Sequence, residues 1–344
     1  MKIAFVIYNL KKGGAERVVS LLSKELSKKH EISIIVFNNS IEYEYGGELI
    51  YLNCDSIKNK IGKIFNIIRR TYKLRRLFKK EMYDKIYCFM ETAYLPAILT
   101  GFPIIASVRN NPHKHSKYIT KYILANAKKI ITVSKEIENI LIKEFNISNI
   151  MTINNPIDFT LIDKLKNDSI DEKSKFIMAV GRLHHQKGFD ILIDAYSKSN
   201  VKNKAKLLIF GDGKLKNDLQ KLIDKNDLSN SIILKGIVDN LYKYLYRAEM
   251  FILSSRYEGF PNVLIEALAC CTPSISTDCP TGPKEIIKNN FNGLLVKNEN
   301  TDELSNAIDK LYFDESLKEK FRKKARSSIQ HLNIKNIANK WLGQ

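Results

Sequence analysis

The chain has 344 residues, 44% hydrophobic and 27% charged, a globular make-up that excludes disorder and, at that length, favours two domains of roughly 150 to 170 residues over one. Its 56 Lys and Arg against 37 Asp and Glu leave a net charge of +19, which suits a polyanionic partner (nucleic acid, an anionic membrane or a phosphorylated substrate) and equally a well-solvated, lysine-rich surface. Five cysteines, Cys54, Cys88, Cys270, Cys271 and Cys279, mostly in apolar surroundings and with no CxxC pair or His partner at metal spacing, read as buried thiols in a reducing compartment.

Strand and helix alternate from the start. The run KIAFVIY at 2–8 is a strand, too short for the apolar core of a signal peptide. Gly14 to Lys29 follows as an amphipathic helix through Val18, Leu21, Leu22 and Leu26. EISIIVF at 31–37 and IYLNC at 50–54 are strands, then comes a basic helix over 57–80 with Ile61, Ile64, Phe65, Ile68, Tyr72 and Phe78 among dense cations. Such a helix docks on anionic headgroups or packs on a core with a basic outer face. Strands follow at 84–89, 103–108, 129–133 and 150–154 and complete one sheet. The uncharged stretch 92–108 is broken by Gly101, Phe102 and Pro103 and falls short of the ~20 residues of a spanning helix, so the chain is expected to be cytoplasmic and not integral.

From Asn155 to Ser174 the sequence is polar and carries Pro156, which marks a domain linker. The reading is a first domain at 1–160, a linker at 161–174, a second domain at 175–328 and a C-terminal helix at 329–344 packing back on the first. Strands of the second series are KFIMAV, AKLLIF, SIILKG, MFILSS, TPSIST and GLLV. The fold class is therefore α/β, two doubly wound domains with a cleft at the carboxyl ends of their strands.

The loops at those ends carry the chemistry. GRLHHQKGFD at 181–190 puts Arg182 and Lys187 between a strand and a helix, the make-up of a diphosphate site. FGDG at 210–213 gives a tight turn in which Gly211 and Gly213 let a ligand approach the backbone. In SSRYEGFPNVLIEALA at 254–269, Pro261 suits the first position of a helix, with Glu258 in the loop before it and Glu266 inside it. Two carboxylates beside an anion site make sense where something uncharged, such as a sugar, is also held. No GxGxxG dinucleotide unit, no Walker loop and no Asp-x-Asp pair is present, so a nicotinamide enzyme is disfavoured. Charge on a leaving diphosphate falls to Arg182, Lys187 and helix dipoles, and no metal or other cofactor is expected.

GGAERVV at Gly13, GRLHHQKG, FGDG, SSRYEGFPNVLIEALA and STDCPTGPKEI at Ser276 together resemble the retaining glycosyltransferases of family 4, whose GT-B fold sets two Rossmann-like domains facing across a cleft. The similarity spans nearly the whole chain and is nearest to bacterial transferases that extend capsule, O-antigen or lipid-linked glycans. It implies that Glu266 accepts from the ribose hydroxyls of a nucleotide sugar, that Glu258 lies at the donor sugar, and that the backbone of Gly259, Phe260, Asn262, Val263 and Leu264 meets the donor and its phosphates. Arg182 and Lys187 then bind the leaving diphosphate, with Gly14 close to a phosphate and Glu16 nearby. Many relatives carry a histidine after the strand ending at Val108. Here Arg109 occupies that place, followed by Asn110, and these two are the candidate acceptor-side residues, His113 and His115 lying further into the loop. The resemblance implies retention without a protein nucleophile, with the leaving phosphate taking the acceptor proton. The expected partners are a nucleotide sugar, with UDP-hexose or UDP-N-acetylhexosamine as the reading, a polyprenyl-diphosphate-linked or oligosaccharide acceptor and an anionic membrane surface, without nucleic acid. The expected location is peripheral, on the inner face of the cell membrane. A sugar-nucleotide epimerase of the same fold and a basic non-catalytic membrane or nucleic-acid scaffold are the alternatives.

Overall fold

The computed structural model describes residues 1–57, 59–110, 112 and 117–343. Among them, seven parallel strands form one sheet: β1 (Lys2–Ile7), β2 (Glu31–Val36), β3 (Glu48–Tyr51), β4 (Lys85–Phe89), β5 (Ile104–Val108), β6 (Lys129–Thr132) and β7 (Ile150–Thr152), in the order β3-β2-β1-β4-β5-β6-β7. Six more form a second parallel sheet: β8 (Phe176–Val180), β9 (Lys206–Phe210), β10 (Ile232–Gly236), β11 (Met250–Leu253), β12 (Ser274–Asp278) and β13 (Leu294–Lys297), in the order β10-β9-β8-β11-β12-β13. Every strand expected from the sequence is present, with ends shifted by at most three residues. Helices cover both faces of a doubly wound sheet, so its central strands must be apolar throughout. AFVI at 4–7 and MFIL at 250–253 are accordingly buried at every position.

The chain divides into two compact units, Met1–Pro156 with Ile334–Gln344, and Ile157–Asn333. In the first, the helix Ile334–Leu342 packs on the sheet through Trp341, whose ring stacks on Phe89 with centroids 5.3 Å apart and meets Tyr87 edge-on at 5.1 Å. Tyr87 Oη donates to the Trp341 carbonyl, and Lys85 Nζ donates to that of Leu342 at 2.7 Å.

The expected linker at 161–174 is not a linker. Residues Phe159–Leu165 form a helix capped by the Asp158 carboxylate, and they belong to the second unit. Asp163 there takes a fork from Arg326 at 2.7 and 2.5 Å, and Tyr244 Oη donates to Asp171 at 2.8 Å. Polar residues misled because these carboxylates are spent on contacts within the unit, while Phe159 and Ile162 supply enough apolar surface to seat one short helix.

The basic helix runs from Lys60 to Glu81, capped by the Asn59 side chain. It buries Gly62, Asn66, Arg70, Leu74 and Phe78, one residue in every four, and exposes Ile64, Phe65, Ile68 and Tyr72, each more than half exposed. Arg70, expected among the surface cations, is inside. Its guanidinium donates to the Cys54 carbonyl at 2.9 Å and to Ser56 Oγ at 3.0 Å, and lies 4.5 Å from the Phe37 ring centroid. Carbonyls at the strand ends need donors, and arginine provides them. No helix among the described residues is long and apolar enough to cross a membrane.

Strand order reverses at β1 and β4 in the first sheet and at β8 and β11 in the second. Connections leaving the carboxyl ends of such a pair diverge and open a crevice between them. The loops after β8 and β11 are the ones bearing Lys187 and Glu258.

Candidate active site

The loop after β8 begins at Gly181 and is shaped by close backbone contacts. Gly211, at φ +134°, sits where any side chain would collide: a Cβ there would be 1.9 Å from the Gly181 carbonyl oxygen. Leu183 N–H donates to the Asp212 carbonyl at 2.9 Å, which locks FGDG to this loop. One 3-10 turn, His185–Lys187, ends at Gly188 with φ +60°, and the helix Phe189–Lys198 starts there. A Cβ on Gly188 would be 2.1 Å from the Ser254 carbonyl oxygen, so glycine is what lets the two loops touch.

That contact brings Lys187 and Glu258 together. Lys187 Nζ donates to Glu258 Oε1 at 2.6 Å, and Ser255 Oγ donates to the same oxygen at 2.7 Å. Glu258 is 8% exposed and Lys187 16% at their side chains. Oε2 of Glu258 accepts no hydrogen bond from a described residue. Glu258 N–H donates to the Pro280 carbonyl at 2.8 Å, and its own carbonyl accepts from Thr281 Oγ1 at 2.8 Å, so the residue is held from both sides. Burial, and then the charge of Glu258, push the Cys279 thiol up to about 12, so the cysteine stays a neutral wall residue rather than a nucleophile. Arg182 is exposed at the mouth of the same loop.

Pro261 is the N-cap and not the first helical residue: its ψ of 108° is extended, and the helix is Asn262–Ala269. The first carbonyl it uses is that of Pro261, which accepts from Leu264 and Ile265 N–H at 3.2 and 3.4 Å. Gly259, Phe260 and Leu264 are buried, while Asn262 and Val263 are half-buried at the first turn. Glu266 is buried in the helix at 5% exposure. Its charge adds to burial in raising the Cys270 thiol above its ordinary range.

In the first unit, the helix Gly14–Leu26 begins at the carboxyl end of the β1 connection, with Gly13 in extended backbone at its N-cap. A Cβ on Gly13 would be 2.3 Å from Glu16 Oε2, so the Glu16 carboxylate folds back over the glycine pair. Arg109, just past β5, is 8% exposed. Nη1 donates to Ser107 Oγ at 3.2 Å, Nη2 donates to Asn155 Oδ1, and the guanidinium lies 5.6 Å from the Phe89 ring centroid. Burial lowers its pKa, and the charge of Glu16 opposes that. Asn110 is exposed, with Nδ2 3.9 Å from Met90 Sδ. His113 and His115 lie outside the described residues.

Comparison with known proteins gives the family. The family model described as Glycosyltransferase Family 4 matches residues 12–161, and the one described as Glycosyl transferases group 1 matches residues 162–328. The chain is 30% identical to the N-acetylgalactosamine-N,N'-diacetylbacillosaminyl-diphospho-undecaprenol 4-alpha-N-acetylgalactosaminyltransferase of Campylobacter jejuni, over 98% of this chain and 97% of that one. This chain is a family 4 glycosyltransferase. A second Campylobacter jejuni protein, the GalNAc-alpha-(1->4)-GalNAc-alpha-(1->3)-diNAcBac-PP-undecaprenol alpha-1,4-N-acetyl-D-galactosaminyltransferase, is 27% identical to the glycosyltransferase over 99% of this chain and 97% of that one. Among solved structures, a glycosyltransferase from Rickettsia africae superposes with a TM-score of 0.80 at 22% identity, covering 99% of this chain and 97% of that one. Anabaena HepE in complex with UDP and glucose superposes with a TM-score of 0.82 at 19% identity, covering 100% of this chain and 98% of that one. These give the glycosyltransferase the GT-B fold.

Two partners of the site residues escaped the sequence reading. Ser255 was readable in principle, since a serine three residues before a glutamate in a turn suits a local hydrogen bond. Asn155, which holds Arg109, had no local signal, because it stands 46 residues away at the end of a different strand.

Proposed function

We propose that this glycosyltransferase moves a sugar from a nucleotide diphosphate donor, a UDP-linked hexose or N-acetylhexosamine, to a glycan carried on a polyprenyl diphosphate, with retention at the anomeric carbon. The observation that carries the reading is the Lys187–Glu258 contact of 2.6 Å at the β8/β11 reversal. It joins a cation suited to a diphosphate with a carboxylate whose second oxygen is open to a sugar hydroxyl. Glu266, one turn into the adjoining helix, suits the vicinal hydroxyls of a ribose. The names of both Campylobacter jejuni relatives specify alpha-linked products and undecaprenol-linked diphosphate acceptors, which supports the acceptor class and the stereochemistry.

On this reading the acceptor hydroxyl attacks the anomeric carbon on the face from which the β-phosphate oxygen departs. The electron pair of the breaking C–O bond leaves with the phosphate, and the acceptor proton passes to that phosphate oxygen. Arg182, Lys187 and the first-turn N–H groups of Asn262 and Val263 meet the growing negative charge, and Glu258 faces the oxocarbenium-like sugar. These groups neutralise the diphosphate without a metal ion. Arg109, tied to Ser107 and Asn155, stands just past β5 on the acceptor side, and Asn110, the exposed member of the pair, contacts the acceptor.

A lipid-linked acceptor is confined to a bilayer surface. The exposed Ile64, Phe65, Ile68 and Tyr72, flanked by exposed Lys63, Arg76, Lys79 and Lys80, suit peripheral attachment to an anionic cytoplasmic leaflet. A panel of UDP- and GDP-sugars offered with a polyprenyl-diphosphate-linked saccharide in EDTA tests the whole reading. Transfer from a UDP-sugar to give an alpha-linked product is expected; transfer from no nucleotide sugar, or transfer with inversion, would overturn it.

A further inference from the structure

We propose that Arg256 is a positioning residue of this donor site: its guanidinium fastens the loop carrying Lys187 to the loop carrying Glu258 and so sets the spacing of those two groups. The proposal rests on the donor-site reading above. Lys187 and Glu258 are 71 residues apart in the chain and follow different strands. Whatever holds their 2.6 Å separation must therefore cross between loops. Arg256 stands two residues before Glu258 with its side chain 13% exposed. Nη1 donates to the His185 carbonyl at 2.9 Å and to Asp190 Oδ1 at 2.8 Å, and Nη2 donates to Asp190 Oδ2 at 2.6 Å. Nε donates to Glu299 Oε1 at 2.7 Å, bringing in the loop after β13.

Four N–H bonds thus leave one planar group and reach three residues, His185 and Asp190 on one stretch of chain and Glu299 on another. A guanidinium matches that pattern, and an ammonium on a flexible stem does not. The His185 carbonyl is in the single turn that ends at Lys187, and Asp190 opens the helix that follows it. Lys187 is therefore gripped from both sides of its own turn. Burial alone would raise the Asp190 carboxyl, yet the bonds from Arg256 outweigh it and hold the carboxyl below its ordinary range. The guanidinium is held above its own. Both groups are charged throughout the neutral range, and the fork does not open with pH there.

Among the described residues, the Arg256 side chain bonds Asp190, Glu299 and the His185 carbonyl and not the Lys187 or Glu258 side chain, so its removal acts through their placement. Backbone-level ties between the loops persist without it: Arg256 N–H to the Gln186 carbonyl at 2.8 Å, Gln186 Nε2 to the Tyr257 carbonyl at 2.9 Å, and Ser254 Oγ to the Lys187 carbonyl at 2.9 Å. The loops stay together but lose their fixed register. Displacements near 1 Å at a reacting site are costly to turnover.

The test is a double-mutant cycle combined with amide exchange. Arg256→Gln is expected to lower turnover at saturating donor about tenfold or more while the donor KM changes by less than about threefold, with Arg256→Lys recovering part of the loss. In a Lys187→Ala background the same Arg256→Gln change is expected to cost less than about twofold, because the cation to be placed is gone. Amide exchange over 184–190 should speed up in Arg256→Gln in the absence of any nucleotide. Equal losses in both backgrounds, or unchanged protection over 184–190, would overturn the proposal. Should Arg256→Gln fail to fold, Asp190→Asn removes the fork from its other end at constant size and carries the same expectations. A wild-type protein that transfers no sugar defeats the donor-site reading instead, and the exchange measurement still decides whether Arg256 fastens the loops.

Discussion

Glu258→Gln should separate donor binding from turnover, in opposite directions. The amide oxygen can still accept from Lys187 and Ser255, but the charge is removed. At the 2.6 Å separation in the structure, and with an effective dielectric of about 20, the bare attraction in the pair is about 6 kcal/mol, most of it offset by the desolvation of both groups. What survives as a net charge-assisted hydrogen bond is about 1.5–3 kcal/mol, and with an amide acceptor keeping about half of that, Lys187 is released by about 1 kcal/mol. A diphosphate that competes with Glu258 for Lys187 should then bind the variant about fivefold more tightly than the wild type. Turnover should fall on the order of a hundredfold, since the carboxylate no longer faces the developing positive charge on the sugar. Calorimetric titration with UDP and initial rates at saturating donor give the two numbers. UDP binding weakened by about tenfold or more, or turnover within about threefold of wild type, would refute the reasoning.

Arg182→Ala and Lys187→Ala should each lower kcat/KM by about a hundredfold or more, and transfer should survive EDTA; activity lost to the chelator and restored by a divalent metal would contradict the diphosphate role given to these cations. Replacing Ile64, Phe65, Ile68 and Tyr72 together by Ser should abolish sedimentation with anionic liposomes and leave the donor KM unchanged. In the wild type, binding should also weaken between 0.1 and 1 M salt as the Debye length contracts from about 10 to about 3 Å. Unaltered sedimentation of the variant would return that helix face to the solvent. The Arg326 fork, outweighing burial, holds the Asp163 carboxyl below its usual range. Its folded pKa is depressed, so its stabilisation is present above the unfolded value of about 3.9 and is lost as pH falls below it. Because Asp163 is 42% exposed at its side chain, Asp163→Asn should cost only about 1 kcal/mol in urea unfolding at pH 7, and the difference from wild type should shrink at pH 3. A difference that does not shrink in acid would show that the ion pair is not its source.

The strands were legible because a sheet covered on both faces demands uninterrupted apolar runs, and such runs have few other uses in a charged chain. The candidate site was legible in outline: GRLHHQKG and EGFPNVLIEA supply the Lys187 cation and the Glu258 carboxylate that the structure brings together. The contact between them was not, since no local pattern states that Lys187 donates to a Glu258 oxygen across 71 residues. The sequence of the basic helix suits docking on headgroups and packing on a core alike, and of Ile64, Phe65, Ile68, Tyr72 and Phe78 only Phe78 is buried. What a helix buries is decided by the groups it meets, and this one meets the carbonyls of Cys54 and Thr92, which Arg70 satisfies. Residues 155–174 failed for a related reason: polarity reads as solvent exposure in a sequence, while Asp163 and Asp171 spend it on Arg326 and Tyr244.

A structure of the protein with UDP bound tests the central claim most directly. The account predicts the diphosphate at the β8/β11 reversal with its oxygens about 3 Å from Lys187 Nζ and the Arg182 guanidinium, Lys187 drawn away from Glu258, and the ribose hydroxyls donating to Glu266. UDP bound elsewhere, or bound with Lys187 still paired to Glu258 and Glu266 untouched, would contradict it.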